Sequence, residues 1–254
     1  YDYRLFRSGL SGGEDDNWYL RSTFNGEVIV NPGDKPKPLN IYGPELSVYG
    51  AAIPTASRLG QATLGTLHER VGEQENLRAD GVTTGKNLNG AWGRIFGQNY
   101  KDRYASIVDP TTSTTILGFQ IGADIYRNQQ ANGARDHAGV YFGVANADAD
   151  ISGTVTNADA TAYVNHRTGN INLDGVSGGA YWTHYGASGW YTDAVLQATS
   201  YSGTAATNRA SINLKGSGLM ASLEGGYPFQ LGSDWSLEPQ AQVIYQRVKL
   251  DNTT

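Results

Sequence analysis

The sequence predicts a mainly β protein, an antiparallel up-and-down sheet accompanied by one α-helix. The first observation is a period of two: in LEPQAQVIYQ, residues 237–246, alternate side chains fall on opposite faces of an extended chain. The second is composition, because 33 glycines and 16 tyrosines suit turns and strands, and the absence of cysteine excludes disulfides and thiolate metal sites. The third is that helical spacing of apolar residues occurs mainly within residues 56–80.

The N-terminal segment, residues 1–30, is predicted to form two short strands, YDYRLFR and NWYLRSTF, joined by a polar turn. Aromatic side chains would supply its small core, and the candidates are Tyr3, Phe6, Trp18 and Tyr19. Residues 31–55 follow as a linker, because three prolines within residues 31–40 favour an extended chain. Pro44 resembles a helix start, and Pro54 is expected to break or kink that helix.

Residues 56–80 are the best helical candidate. Leu59, Ala62 and Leu67 recur at spacings that place them near one helix face, and such a helix would span about 30 Å. It is weakly amphipathic and carries interior glycines, so we expect it to need an enclosing partner. Its candidate polar contacts are Arg58, Gln61, His68, Glu69, Arg70 and Glu73.

Residues 90–254 show no helical period and are predicted to form about seven strands. Tight turns such as GASG at 186–189 and QLGSD at 230–234 connect some of these strands. Longer polar loops, such as GTAATNRAS at 203–211 and GTVTNADATAYVNHRTGN at 153–170, connect others. Tight turns at one end and longer loops at the other describe an up-and-down meander.

The two faces of these strands differ in polarity. Aromatic residues near strand ends, small or aliphatic residues in mid-strand and a polar opposite face favour a transmembrane β-barrel with a wet lumen. The residues predicted to face lipid are Phe119, Ile121, Leu196, Leu223, Val243 and Tyr245. The residues predicted to face the lumen are Arg94, Gln120, Asp124, Asp193, Gln197, Glu224, Glu238, Gln240 and Gln242. Pattern alone also allows a soluble sandwich or a lipocalin-type barrel with its apolar face inside.

Several segments, taken in order, resemble one known family, the pertactin-like branch of the classical (type Va) autotransporters. The resemblance covers nearly the whole chain, although no single segment is decisive. The segments are NWYLRS at 17–22, YGPELSVYGAAIPTASRLGQATLGTLHERVGE at 42–73, WGRIFGQ at 92–98, GFQIGADIY at 118–126, GWYTDAVLQATSY at 189–201, GLMASLEGGYPF at 218–229 and WSLEPQAQVIYQRV at 235–248.

The resemblance implies a division of the chain. Residues 1–30 resemble the end of a passenger β-helix, the autochaperone, and residues 31–55 the linker. Residues 56–80 resemble a helix threaded through the pore, and residues 90–254 the translocator β-barrel. Family barrels have about twelve strands, so the seven predicted here lead us to expect an incomplete barrel whose C-terminal strands are missing.

The resemblance also implies a function and partners. The module would sit in the outer membrane of a Gram-negative bacterium and display its own N-terminal passenger at the cell surface. Its partners would be outer-membrane lipid, the barrel-assembly machinery, periplasmic chaperones and the passenger itself. The net charge of −5 argues against a nucleic-acid partner.

No catalytic, cofactor or metal site is predicted. The four histidines stand apart in the sequence, and DADADISG lacks the spacing of a calcium loop. Some relatives cut their own pore helix at an asparagine, but the matching positions here are Gly65 and Thr66. We therefore predict no enzyme, with a self-cleaving autotransporter and a soluble β-rich binding domain as the alternatives.

Charged lumen residues are expected to pair, because a buried charge without a partner is costly. The acidic side chains of Asp193, Glu224 and Glu238 are predicted to be partners of basic ones on the helix or an early strand. Those basic residues are Arg58, Arg70 and Arg94.

Overall fold

The N-terminal strands form a hairpin. The computed structural model describes residues 2–7, 18–23, 40–72, 90–158, 162–231 and 235–253. Strands β1 (Asp2–Arg7) and β2 (Trp18–Thr23) pair antiparallel, as the two strand patterns predict. Phe6 lies opposite Tyr19, and Arg7 lies opposite Trp18. The proposed aromatic core of Tyr3 and its neighbours stays a prediction, because only the backbone of these strands is described.

Two helices follow, α1 (Pro44–Leu64) and α2 (Leu67–Val71). Pro44 occupies the first turn of α1 with Glu45 behind it, which satisfies the helix-start pattern. Gly65 ends α1 with φ at +64°, a left-handed value that glycine adopts without steric cost. Thr66 then starts α2, because its side chain and that of Glu69 form a reciprocal capping box.

The helix continues through Pro54, which differs from the sequence expectation. Residues 44–55, assigned above to the linker, are therefore largely helical. A proline ring crowds the carbonyl four residues earlier, here that of Gly50, and Gly50 is exposed with open space around it. Buried contacts on both sides of Pro54, at Ala51, Ala52 and Ala56, hold the helix against the sheet and offset the lost hydrogen bond.

The main body is a sheet of seven antiparallel strands, which confirms the predicted mainly β, up-and-down fold. The long strands are β3 (Ala91–Arg103), β4 (Thr111–Gln129), β5 (Arg135–Thr156), β6 (Tyr163–Tyr185), β7 (Tyr191–Thr207), β8 (Ser211–Gly226) and β11 (Gln240–Thr253). A short hairpin of β9 (Phe229–Gln230) and β10 (Ser236–Leu237) separates the last two. In the described part of the chain, β3 and β11 are the two edges, so the sheet is open there.

Strands β5 and β6, with 22 and 23 residues, are longer than the crossing of a bilayer requires. A tilted bilayer crossing needs only about 10 residues. Most of the predicted polar loop at 153–170 therefore belongs to the ends of these two strands, which pair as far as Thr156 and Tyr163. The segment is polar because its outward face is exposed, not because it is irregular.

One half of the sheet is inverted relative to a soluble protein. Its outer face carries an apolar belt of exposed side chains: Ile95, Leu117, Phe119, Ile121, Val140, Phe142, Val144, Val176, Leu196, Leu219, Leu223, Val243 and Tyr245. The inner face behind this apolar belt buries polar side chains, namely Gln120, Asp193, Gln197, Ser222 and Glu224, together with a smaller hydrophobic cluster that includes Tyr141, Val195 and Met220. This is the arrangement that a wet-cored membrane barrel requires.

The other half has the conventional arrangement. We call it the upper section: residues 145–156 of β5, residues 163–175 of β6 and the adjoining ends of β4 and β7. Its inner face is apolar and buries Ala147, Ala149, Ile151, Ile171, Leu173 and Ala205 against α1. Its outer face exposes Asp148, Asp150 and Asp174. The apolar face therefore changes sides along the same strands.

Candidate functional site

Helix α1 lies on the inner face of the sheet and packs closely against it. Val48 and Leu59 are completely buried in the cluster shared with the upper section. Small residues let the helix approach the strands: at Gly60, an added Cβ would lie 2.7 Å from the Tyr201 hydroxyl and 3.1 Å from the Met220 sulfur. The seam between helix and sheet is therefore too tight for most side chains at this position.

Glutamine side chains bind the helix backbone directly. Four of them donate from Nε2 to carbonyls at 3.0–3.2 Å: Gln246 to Ser57, Gln197 to Gly60, Gln120 to Thr63 and Gln242 to Gly65. The Tyr141 hydroxyl donates to Gln197 Oε1 at 2.8 Å, which orients that amide. Because these contacts involve main-chain atoms, they fix the position of the helix without depending on its side chains at those positions.

Arg94 of β3 closes the C-terminal end of α1. Its Nη2 donates to the carbonyls of Ala62 and Thr63, at 3.2 and 2.8 Å, and its Nε donates to Gln120 at 2.8 Å. The last carbonyls of a helix have no partner within the helix, and they carry a partial negative charge. A guanidinium at this end therefore satisfies hydrogen bonds and complements the helix dipole.

Helix α2 is held by a carboxylate and by a buried ion pair. Glu224 Oε2 accepts from the Leu67 N–H at 3.1 Å, while its other oxygen accepts from the Tyr191 hydroxyl at 2.7 Å. Arg70 Nη2 pairs with Asp193 Oδ2 at 2.5 Å, with both side chains at most 2% exposed. Inside a protein such a pair is costly to break, because the remaining charge stays buried.

Two further pairs join the helices to strand ends. Arg58 binds Asp102 with both Nε and Nη2, at 3.0 and 2.7 Å, the bidentate geometry of a strong ion pair. His68 Nε2 lies 3.4 Å from Glu238 Oε1. Gln61 donates to Gln246 at 3.1 Å, so the contacts follow both helices along most of their length.

The pairing predicted from sequence needs correction in two of three cases. Asp193 does pair with Arg70, but Glu224 binds the Leu67 N–H and a tyrosine, and Glu238 lies beside His68. The partner of Arg58 is Asp102, which the sequence reasoning did not single out. Arg94 uses two of its nitrogens on carbonyls and an amide and is 3.9 Å from Glu69.

Other predicted lumen residues are placed away from the helices or outside the described chain. Asp124 is on the inner face but binds His137, Arg127 and Tyr181, not the helix. The side-chain amide of Gln240 lies 3.0 Å from the Tyr191 hydroxyl, whose single proton is donated to Glu224. Glu73 lies outside the described residues. Only some of the polar residues on the inner face of the sheet therefore contact the helices.

The six residues predicted to face lipid all lie on the outer face, in the apolar belt. Their exposed fractions run from 45% for Phe119 to 74% for Val243. Their neighbours in sequence point the other way, since Gln120 is completely buried and Glu224 is 2% exposed. Contact of this face with lipid remains a prediction that its exposure supports.

Several residues that hold the helices were missed, and a period-two signal could have found some of them. Asp102 lies eight residues after Arg94 on β3 and therefore on the same face. Gln246 continues the series that begins with Gln242 on β11. Tyr141 and Tyr191 were hidden because an aromatic residue in a membrane strand is typical of either face.

The described part of the chain lacks two other kinds of feature. Neither α1 nor α2 combines the length and the hydrophobicity that a membrane-crossing helix needs. Across the described ranges, His, Asp and Glu side chains do not gather in threes as metal ligands.

Comparison with known proteins shows the family. The model of a family described as "Autotransporter beta-domain" matches residues 91–254. The chain is 31% identical to the adhesin BmaC autotransporter of Brucella suis, covering 99% of this chain and 7% of that protein. It is 33% identical to the BrkA autotransporter of Bordetella pertussis, covering 78% of this chain and 18% of that protein. It is 30% identical to the pertactin autotransporter of Bordetella bronchiseptica, over 85% of this chain and 22% of that protein.

The fold also has a solved relative. The crystal structure of the transport unit of the autotransporter AIDA-I from Escherichia coli matches with a TM-score of 0.57 and 20% identity, over 83% of this chain and 64% of that one. The chain spans less than a quarter of the three named relatives' lengths. The family and the exposed apolar belt overturn the alternative of a soluble β-rich domain. The chain therefore belongs to the autotransporter family, as a classical autotransporter that carries the family's beta-domain over residues 91–254 and is located in the bacterial outer membrane.

Proposed function

We propose that this module anchors the protein in the outer membrane and exports its own N-terminal passenger to the cell surface. One observation carries the proposal: residues 40–72 run along the inner face of the sheet, from the upper section toward the start of β3. The C-terminal part of α1 lies behind the apolar belt, because Gln197 and Gln120, which follow Leu196 and Phe119 in sequence, bind its carbonyls at Gly60 and Thr63. The chain that leads to the passenger thus passes behind the apolar belt.

Assembly of such a surface needs help in water. The apolar belt exposes many large side chains at once, and exposed patches of this kind drive aggregation or membrane association. We propose that periplasmic chaperones cover the apolar belt before insertion and that the barrel-assembly machinery inserts the strands. Outer-membrane lipid would then replace the chaperones on this face.

Accessibility of the passenger on intact cells tests the export function. The full-length protein is expressed in a Gram-negative host, and external protease is added to whole cells. We expect the passenger to be degraded when residues 91–254 are present and to be protected when they are deleted. A passenger that remains protected beside an intact, membrane-inserted barrel would contradict the proposal.

The N-terminal hairpin is proposed to seed passenger folding outside the cell, as the end of the passenger. Trp18 lies opposite Arg7 at the end of β1 and β2. We expect Trp18→Ala to slow surface display without lowering the amount of barrel in the membrane, because it removes a large apolar side chain from a small core. Trp18→Phe, which keeps an aromatic ring, is the matched control. Unchanged display kinetics for Trp18→Ala would count against this role.

We propose that the module does not cleave itself. Gly65 and Thr66 connect α1 to α2 and supply no asparagine, and Gly65 is held by Gln242 through its carbonyl. The full-length protein should run as one band on a denaturing gel. Separate passenger and barrel bands, split near residues 60–80, would instead support the self-cleaving alternative.

A further inference from the structure

Strand β5 extends past the start of its neighbour and leaves a short open edge. The last pair between β4 and β5 joins Thr111 to Ser152, whereas β5 continues to Thr156. On the other side, residues 153–156 stay paired with β6. We call residues 153–156 the β5 overhang. An overhang of this kind presents main-chain N–H groups that another extended chain can use.

Two N–H groups of this edge already have hydrogen-bond acceptors in other segments of the same chain. Thr154 N–H donates to the Val108 carbonyl at 2.8 Å, and Thr156 N–H donates to the Tyr42 carbonyl at 3.0 Å. The Thr156 hydroxyl accepts from the Tyr42 N–H at 2.9 Å and donates to the Asn40 carbonyl at 3.0 Å. Residues 40–42, directly before α1, therefore lie against the end of the overhang and are held by one main-chain hydrogen bond of Thr156 and two hydrogen bonds of its hydroxyl.

These contacts depend little on the identity of the bound residues. All three hydrogen bonds of Thr156 reach main-chain atoms of residues 40–42. The stacking of Tyr42 on Tyr163, with ring centroids 5.3 Å apart and planes at 19°, is the contact that needs a particular side chain. Such an edge can bind successive extended segments, except where a proline lacks the N–H that Tyr42 supplies.

The sequence upstream of Asn40 explains why residues 40–42 would be the segment bound to the β5 overhang after export has ended. Extended chains repeat every two residues, so Pro38 and Pro36 would reach the position of Tyr42 if the chain moved by four or six residues. Neither can donate to the Thr156 hydroxyl. The proline-containing segment at 36–38 is therefore a poorer ligand for the edge than the segment that occupies it.

We propose that the β5 overhang is an exit-side docking edge for the exported polypeptide. This inference rests on the proposed export function. While the passenger is leaving, its extended main chain binds Thr156 one segment at a time, while the Thr154 N–H stays bound to Val108. When export is complete, residues 40–42 occupy the edge and Tyr42 stacks on Tyr163, which holds the linker beside the upper section.

Cysteine cross-linking tests the inference directly. The chain has no native cysteine, so Thr154→Cys, which lies on the same face of β5 as Thr156 and keeps the Thr156 hydroxyl, can be introduced alone into the full-length protein, with any upstream cysteines replaced. A second cysteine is placed in the passenger, and export is stalled by a folded reporter domain. Ser202→Cys, on the exposed outer face of β7, is the matched control. Retained heat-dependent gel mobility shows that each variant barrel is folded.

We expect the stalled passenger to form a disulfide with Thr154→Cys at a yield at least about fivefold above that with Ser202→Cys, the ratio that one hydrogen bond can produce. Equal yields at both positions, with the unstalled passenger still reaching the surface, would overturn the docking edge and leave the export function intact. A passenger that never reaches the surface despite a folded barrel would overturn both.

Discussion

At the scale of single residues, the ion pair of Arg70 and Asp193 holds α2 in place. Its two side chains are at most 2% exposed, and Thr183 donates to the second oxygen of Asp193 at 2.6 Å. Arg70 Nε and Nη1 are buried without a hydrogen-bond partner in the described residues. The arginine charge is therefore balanced mainly by the Asp193 carboxylate. Removing that carboxylate should strongly lower the stability of the fold.

We expect Asp193→Ala to destabilise the folded barrel by about 3 kcal/mol, because it leaves the Arg70 charge buried and unpaired. The double variant Arg70→Met/Asp193→Ala should recover part of this loss, since no charge then remains. Stability is measured as the temperature at which the full-length protein loses its folded mobility in detergent gels.

The exposed pair of Arg167 and Asp150 supplies the control. Asp150→Ala should leave that temperature unchanged, because water solvates either charge alone. Equal effects of Asp193→Ala and Asp150→Ala would show that the buried pair does not anchor α2.

At the scale of elements, the junction between the helices is set by a glycine. Gly65 has φ at +64°, and an added Cβ would lie 2.5 Å from Arg94 Nη1. Any other residue would strain the backbone and displace the guanidinium that closes α1. Gly50 is the opposite case, since it lies within α1 with nothing within 4 Å of an added Cβ.

The two glycines should therefore respond oppositely to the same substitution. Gly65→Ala is expected to cost about 1–2 kcal/mol of barrel stability through left-handed strain, with a further loss from Arg94. Gly50→Ala should stabilise the helix by about 1 kcal/mol, because alanine has the higher helix propensity. Thermal unfolding of the two full-length variants compares them. A Gly65→Ala protein as stable as the parent would refute the role of this junction.

The helix also shows how packing overrides local signals. Pro54 predicted a break, yet α1 is continuous because Ala51, Ala52 and Ala56 are buried against strands distant in sequence. Conversely, the predicted single helix ends early at Gly65, where φ is positive, and restarts at Thr66 through a capping box. The capping pattern was readable from Thr66 and Glu69, whereas the backbone angle was not.

At the scale of the whole molecule, the two halves of the sheet match two different surroundings, hydrocarbon and water. The apolar belt faces outward on one half, and an apolar core with α1 lies inside the upper section. In each half a polar face accompanies the apolar one, so the mean hydropathy of the chain is −0.43 although the protein lies in the outer membrane. The apolar face points outward where strands contact hydrocarbon and inward where they contact water. This reversal is expected for strands that extend from the membrane into the solvent.

Charge substitutions on one strand should locate the boundary between these solvents. Leu196 and Ser202 both point outward from β7, but Leu196 lies in the apolar belt and Ser202 in the upper section. Leu196→Arg is expected to cost up to about 2–4 kcal/mol and to lower the amount of folded protein in the outer membrane, because arginine is poorly tolerated in hydrocarbon. Ser202→Arg should have little effect. Equal losses from both variants would contradict the proposed position of the membrane.

The local sequence was enough to predict the period of the strands, their number and the polarity of their faces near the apolar belt. Those features depend on neighbouring residues, because a strand turns alternate side chains to opposite sides whatever lies across from it. The pairing of β1 with β2 was equally readable, since the sequence shows two aromatic-rich strand patterns separated by a polar segment.

Only the tertiary structure decided which groups meet across the sheet. The partners of Arg58 and Glu224, the helix through Pro54, the added length of β5 and β6 and the position of Tyr42 on the β5 overhang all depend on strand register. The fold brings together residues up to 189 positions apart in the described chain, such as Ser57 and Gln246. A short sequence window holds no information about contacts over such distances. The period-two pattern therefore predicted which face of the sheet a side chain occupies, but not which residue it contacts.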